Sequence, residues 1–403
     1  MAKEEDKKYA ALEITSKAVR LVYGYYQDDK VYVLHALETT VNALDGGLVV
    51  DQEALTNAIR GVINAANETL NIKIEDVLLA LPSMGLLFCR ESRPTTTIDP
   101  NNVIAQIDIN NAISQLKKYR FSDNSKIVDV VPFQYVLDSK EYLPDAPIGK
   151  VSQTLTVHAS IFALDQELVS GYVTAVQNAG LFIRQLVVAP YAASLYMSNE
   201  DTIPSSYYLL NIGSEITTLT QVSQNDVIYQ NACFKFGSEH LTHRLQDKFD
   251  LSYKEATMLK EKYGLDRSPS YRVNVLGQLQ LDDISDCLSN ALEPLVTSIS
   301  KQVSQWSSND HRYLPIVITG GGSKLYGLKS YLEKKLGLQV IDYTPYSFGA
   351  RNKAYQVCLG LITYAGTHLK NEEIDELTLS SISRTEPKPG KKTFHSYSND
   401  EEL

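Results

Sequence analysis

Two stretches, ALEITSK (residues 11–17) and LLNIGSEITT (residues 209–218), carry the residue types of a phosphate-binding turn. Each enters on apolar residues and reaches one polar side chain, Glu13 or Asn211. Each then turns through small or hydroxyl-bearing residues and alternates outward. Ser16, Lys17, Gly213 and Ser214 can offer hydroxyls, backbone N–H groups and a point charge to an anion. An exposed hairpin lysine is the plainer reading of Lys17. A third stretch, TGGGSK (residues 319–324), follows an apolar run at 316–318. It precedes a helical pattern with Leu328, Tyr331, Leu332 and Leu336 on one face. Strand, glycine turn and helix in this order bring backbone N–H groups and a positive helix end close to a phosphate or sugar. Glycine permits that close approach, although tight packing alone also explains such a turn.

Elements must hold these turns in place. Residues 9–23 and 31–37 alternate apolar and polar around the turn-like YYQDDK, which predicts a hairpin. Leu55, Ile59, Val62, Ile63, Ala66 and Leu70 recur at helical spacing. DVLLALP (residues 76–82) reads as a short buried strand ended by Pro82. Aligned without gaps, Glu13 meets Asn211, Ile14 meets Ile212, Ser16 meets Ser214 and Leu21 meets Leu219. One supersecondary unit thus occurs twice, 198 residues apart (211 minus 13). Two similar lobes are implied, with a chance likeness of two hairpins as the alternative.

Composition narrows the function classes. A chain of 403 residues has room for two or more domains. The net charge of −10 argues against nucleic-acid partners, whose binding rests on phosphate neutralisation. Cys89, Cys233, Cys287 and Cys358 show no CxxC spacing, which argues against a zinc site and for a reducing compartment. No signal-peptide core and no run of 18 apolar residues is present, so a cytoplasmic location is expected. Residues 369–403 are polar and aperiodic and read as a disordered tail.

The three turns in this order resemble the actin–Hsp70–sugar kinase superfamily, whose two phosphate hairpins and adenosine loop clamp ATP. Four further segments narrow the resemblance to the FtsA family of bacterial cell division. They are VVDQEALTNAIRGVI after the first hairpin, residues 128–164 with their PIG element, residues 176–197, and FKFGSEHLTHRLQDKFDLSYKEATMLKEKYG (residues 234–264). The resemblance implies an α/β, actin-like (ribonuclease H-like) two-lobed fold with an FtsA-type inserted subdomain. Residues 1–81 and 164–202 would form the first lobe and 82–163 the insertion. Residues 203–229 and 306–368 would form the second lobe, and 230–305 its nucleotide-covering part.

The resemblance also implies ATP and Mg²⁺ as ligands. Thr15, Ser16, Lys17, Gly213 and Ser214 would line the phosphates, and Gly320, Gly321 and Gly322 the adenosine. Gly237 matches a family turn near the nucleotide, and Glu255 and Lys260 match the ribose-contacting helix. Glu13 and Asn211 would face the metal through water, and Glu13 and Glu215 are the carboxylates able to orient a reacting water. The departures from the family pattern share a direction. Thr15 replaces a glycine, and its branched Cβ disfavours positive φ. Asn211 and Thr218 replace carboxylates, and Ser214 and Glu215 replace glycines. The expectation is ATP binding with weak or absent hydrolysis.

By resemblance the chain would be a division scaffold at the septum, on the inner face of the cell membrane. It would self-associate into filaments and bind the C-terminal tail of FtsZ and other division proteins. Arg244 and Lys248 are candidate contacts. The acidic EEIDELTLSSIS lacks the basic amphipathic pattern of an interfacial helix, so membrane contact is expected to be indirect. The competing readings are a PilM-like pilus-assembly adaptor and a small-molecule kinase of the same superfamily.

Overall fold

The structure is a computed structural model and describes residues 7–122, 124–198, 200–223, 227–265, 279–307 and 313–369. The tail expectation, with its membrane consequence, falls outside the described residues.

The first sheet begins with an antiparallel meander of β1 (Lys8–Ile14), β2 (Ala18–Gln27) and β3 (Lys30–Thr40). A small ribbon of β4 (Leu44–Asp45) and β5 (Leu48–Val49) leads into helix α1 (Gln52–Leu70). The Asp51 carboxylate caps α1 by accepting from the Ala54 N–H at 2.9 Å. Leu55, Ile59, Val62, Ile63 and Ala66 are buried along one face. Asn71 closes the helix in the left-handed region, at φ 52°. Strand β6 (Asp76–Leu81) then returns parallel to β1.

The insertion is an antiparallel sheet with one helix against it. Strand β7 (Leu87–Thr96) is followed by α2 (Gln106–Leu116), β8 (Ser125–Leu137), β9 (Tyr142–Leu143) and β10 (Thr154–Asp165), in the order β7-β10-β8-β9. Pro132 lies inside β8. The register there skips Phe133 opposite His158 and Ala159, and this bulge tolerates a residue without an N–H. Helix α3 (Gln166–Asn178), strand β11 (Phe182–Val188) and helix α4 (Ala189–Met197) bring the chain back to the first sheet.

The second sheet repeats the first. It contains β12 (Tyr207–Ile212), β13 (Thr217–Ser223) and β14 (Val227–Phe234), followed by helices α5 (Ser238–Phe249), α6 (Tyr253–Tyr263) and α7 (Leu281–Ser307). Strand β15 (Ile316–Thr319), helix α8 (Leu328–Leu336) and strand β16 (Val340–Asp342) complete it. The strand orders are β11-β6-β1-β2-β3 and β16-β15-β12-β13-β14. In each, two antiparallel hairpin strands follow the central strand on one side and two parallel strands lie on the other. The hairpin register is also shared. Glu13 faces Arg20 and Ile14 faces Val19, while Asn211 faces Thr218 and Ile212 faces Thr217.

The last helix, α9 (Gln356–His368), departs from the expected boundaries. Residues 306–368 were expected in the second lobe, but α9 packs on β1, β2, β6 and α4 of the first. Eleven of its 13 residues, Gln356 to Gly366, are buried, so over that run it is a core helix. Its approach to α4 is close. A Cβ on Gly360 would stand 1.8 Å from the Ala192 carbonyl oxygen.

Candidate functional site

The sheet repeat places the two hairpin turns and the glycine turn around one cleft. It is lined by Glu13, Thr15, Lys17 and Arg20 from the first hairpin and Asn211, Gly213 and Ser214 from the second. Thr319 to Gly322, Ser238, and Lys353 to Val357 excluding Tyr355 supply most of the remaining wall. The cavity measures about 140 Å³, below the roughly 300–1,000 Å³ typical of sites that enclose a whole small molecule. A wider open depression of about 550 Å³ lies on α6 between Tyr253 and Lys262, away from this convergence of polar groups.

Thr15 closes the first turn without glycine geometry. Its N–H donates to the Ala18 carbonyl at 2.9 Å, and its hydroxyl donates to the same oxygen at 3.0 Å. The Ala18 N–H lies 3.2 Å from that hydroxyl oxygen. Thr15 is not among the residues with positive φ. The side chain thus supplies what a backbone of unusual φ would otherwise provide. Ser16 is half-buried at the turn and is not in the lining. Lys17 lies 4.0 Å from the Glu239 carboxylate of α5, a contact between the two lobes.

Glu13 is engaged within the fold. Arg20 Nη1 donates to Glu13 Oε2 at 3.3 Å, and Arg20 Nε donates to Glu38. Burial pushes the Glu13 carboxyl above the usual carboxylate range, and Arg20 opposes that rise. Burial works against the Arg20 charge, and Glu13 and Glu38 outweigh it. Tyr172 donates to the Gly47 carbonyl at 3.1 Å. Burial raises its pKa, with the nearby charges of Glu13 and Glu215 adding to the rise.

The three glycines of TGGGSK divide their work. A Cβ on Gly320 would meet Asn211 Oδ1 at 2.2 Å, and one on Gly322 would meet Ile212 Cγ2 at 2.4 Å. These two glycines let the turn press onto β12. A Cβ on Gly321 would meet nothing within 4 Å, so Gly321 is the one facing open space. Gly237 has a packing role too, because its Cβ would stand 2.1 Å from the Ser214 carbonyl oxygen. That closeness lets the Ser238 and Glu239 N–H groups donate to the Gly213 and Ser214 carbonyls, both at 2.9 Å. The N-terminus of α5 is thereby satisfied by the second hairpin.

Glu255 and Lys260 are not in the lining. Glu255 caps its own helix, accepting from the Ser252 N–H at 2.9 Å and the Ser252 hydroxyl at 2.6 Å. Lys260 donates to the Ser238 carbonyl at 3.1 Å and the Thr242 hydroxyl at 2.6 Å, and burial lowers its pKa. Arg20, Thr319, Lys353 and Gln356 line the cleft but escaped the sequence reading. Arg20 was detectable, because any two residues flanking the turn symmetrically must face each other, and Glu13 and Arg20 do. Lys353 and Gln356 reach the cleft from a 3₁₀ turn (Lys353–Tyr355) and from α9, with no local motif.

Magnesium fits this donor set poorly. Among the described residues Glu13 is the one carboxylate in the lining, and it is ion-paired. Asn211 is neutral, with its oxygen against Gly320. Among the described residues no group of three His, Cys, Asp or Glu side chains could hold a metal ion. Donors for an anion are present. The Thr319 hydroxyl donates to Gln356 Oε1, which leaves Gln356 Nε2 buried without a partner. The Ser214 hydroxyl is likewise buried and unpartnered, whereas the buried, unpartnered Glu215 Oε2 is an acceptor and offers an anion nothing.

Two lobes of identical strand order, a cleft between their hairpins and an antiparallel insertion define an actin-like protein with an inserted FtsA-type subdomain. Residues 148–355 match the family model described as type IV pilus assembly protein PilM, and residues 87–163 match the SHS2 domain inserted in FtsA. The chain belongs to the type IV pilus assembly protein PilM family, of which it is a divergent, FtsA-like member. It is 23% identical over 371 residues to the cell division protein FtsA of Enterococcus hirae, covering 89% of this chain and 83% of that one. It is 22% identical over 409 residues to FtsA of Escherichia coli, covering 95% and 96%. Among solved structures, the PilM–PilN type IV pilus biogenesis complex superposes with a TM-score of 0.62 at 19% identity, covering 90% of this chain and 99% of that one. MreB5 of Spiroplasma citri bound to ADP gives 0.52 at 12%, covering 91% and 99%.

Proposed function

We propose that the chain is an actin-like cell-division scaffold that holds a nucleotide in the interlobe cleft and turns it over slowly or not at all. The carrying observation is the cleft itself. Two hairpins and an open Gly321 converge on it, while its single lining carboxylate is held by Arg20. Hydrolysis needs a metal or base that activates water; Glu13 is paired with Arg20, and Glu215 is not in the lining. The small-molecule kinase reading gains no support from such a wall. Self-association, binding of the FtsZ tail and a septal position follow the FtsA relatives, which align over most of both chains. Arg244 and Lys248 are exposed on α5 and available to an acidic partner. No helix among the described residues is long and apolar enough to cross a membrane.

Calorimetry with ATP, combined with phosphate-release kinetics, tests the nucleotide reading. Binding without measurable turnover is expected, and turnover near the ~10 s⁻¹ median of enzymes would overturn it. A pull-down with an FtsZ C-terminal peptide tests the partner. The second reading, a pilus adaptor, is favoured by the PilM family match and by the likeness to the PilM–PilN complex. Capture of a PilN-type partner in place of the FtsZ peptide would select it.

A further inference from the structure

We propose that the cleft takes the polyphosphate of a nucleotide without a divalent cation, the cationic side chains of its wall, Lys17 and Lys353 with Arg20, balancing charge where a metal would. This deepens the nucleotide-binding reading and rests on it. Hard divalent ions need several oxygen ligands, with carboxylates preferred. The wall offers one carboxylate, and that group already has a cation 3.3 Å away. A second, doubly charged ion beside Arg20 would be repelled in a site that is only partly hydrated.

The same wall suits phosphate oxygens. Lys17, Arg20 and Lys353 line it. The carboxylate partners of the two lysines, Glu239 and Asp342, lie outside the lining, whereas Arg20 shares it with Glu13 and pairs with Glu38 outside it. Lysine and arginine both bind phosphate through charge-assisted hydrogen bonds. Two further donors await an acceptor. Gln356, only 1% exposed, has its amide oxygen taken by Thr319 and its Nε2 unpartnered. The Ser214 hydroxyl, from another part of the lining, is buried and unpartnered too. Buried donors without acceptors are costly, and a polyphosphate satisfies both.

The test is equilibrium binding of ATP and ADP to the full chain, in Mg²⁺ and in excess EDTA. The dissociation constants are expected to agree within about threefold. A loss beyond about tenfold in EDTA, with binding intact in Mg²⁺, overturns the inference and leaves the nucleotide reading standing. Absence of binding in both buffers removes both. The paired variant Thr319→Val with Gln356→Met deletes the buried hydrogen bond whole and keeps side-chain volume. It is expected to keep its melting temperature and to bind about tenfold more weakly in both buffers, the loss of a hydrogen bond to a charged group. Unchanged affinity in a folded variant would overturn the phosphate contact.

Discussion

Glu13 and Arg20 are cross-strand partners in the first hairpin, and the two matching register positions of the second hairpin hold Asn211 and Thr218. One structural position thus carries an ion pair in one lobe and two neutral side chains in the other. The first arrangement occupies the carboxylate, and the second has none to offer. Both remove metal-binding capacity by different routes. Arg20→Met alone strands a buried carboxylate and is expected to cost about 3 kcal/mol. Adding Glu13→Gln should recover most of that loss. Urea unfolding of the single and double variants measures it, and additive losses would refute the coupling.

Asn211→Asp returns a carboxylate to the cleft wall. Without metal, the added charge is expected to weaken ATP binding, and Mg²⁺ should restore it by about tenfold or more. The unmodified chain should show no such gain. Titration of both proteins with and without Mg²⁺ decides.

Thr15→Val keeps the shape of the side chain and removes its hydroxyl. That hydroxyl bonds to Ala18 as both donor and acceptor. The expected loss is about 1–2 kcal/mol, read from the urea midpoint.

Gly360→Ala should be among the most damaging single-methyl changes. Its Cβ would fall 1.8 Å from the Ala192 carbonyl, a backbone atom that cannot rotate away. Separating α9 from α4 is expected to cost about 3 kcal/mol. A melting temperature within a degree or so of the parent, about the size of a negligible stability change, would show that the helices have room.

His368 gives the fold an acid-side sensitivity. Its ring stacks on Tyr364 with centroids 4.6 Å apart, and Tyr191 Oη lies 3.4 Å from Nε2. Burial pushes its pKa down to about 4, against about 6.5 in an unfolded chain. The unfolded chain therefore binds the proton first. Stability from the neutral ring is present above pH ~6.5 and is lost as pH falls towards ~4. Because the residue is half-buried at the surface, about 1–2 kcal/mol of pH-dependent stability is expected. His368→Phe should flatten that part of the stability–pH curve, and an unchanged slope would assign it to other groups.

Much of the hairpin architecture was legible in the chain. Alternating patterns, helical spacing on α1 and α8 and the repeat of ALEITSK in LLNIGSEITT are local signals. Each depends on residues within one or two turns of one another, where backbone geometry dictates the period. The repeat even carried the shared register, since Glu13 and Arg20 stand symmetrically about their turn as Asn211 and Thr218 do. The two structural glycines of TGGGSK could not be told from the open one, because the distinction depends on what β12 places against them.

The sequence by itself determined the repeated hairpins and the glycine turn, and its resemblance to a known family implied the insertion and the missing carboxylates around the turns. Tertiary structure alone decided which groups share the cleft. Gln356 and Lys353 lie more than 300 residues from Glu13, and only packing of α9 onto the first sheet brings them to it. An apolar helix buried along most of its length holds no local information about which sheet it will cover. The charges at its start inherit that ambiguity, so the cationic wall emerges only when both lobes are assembled.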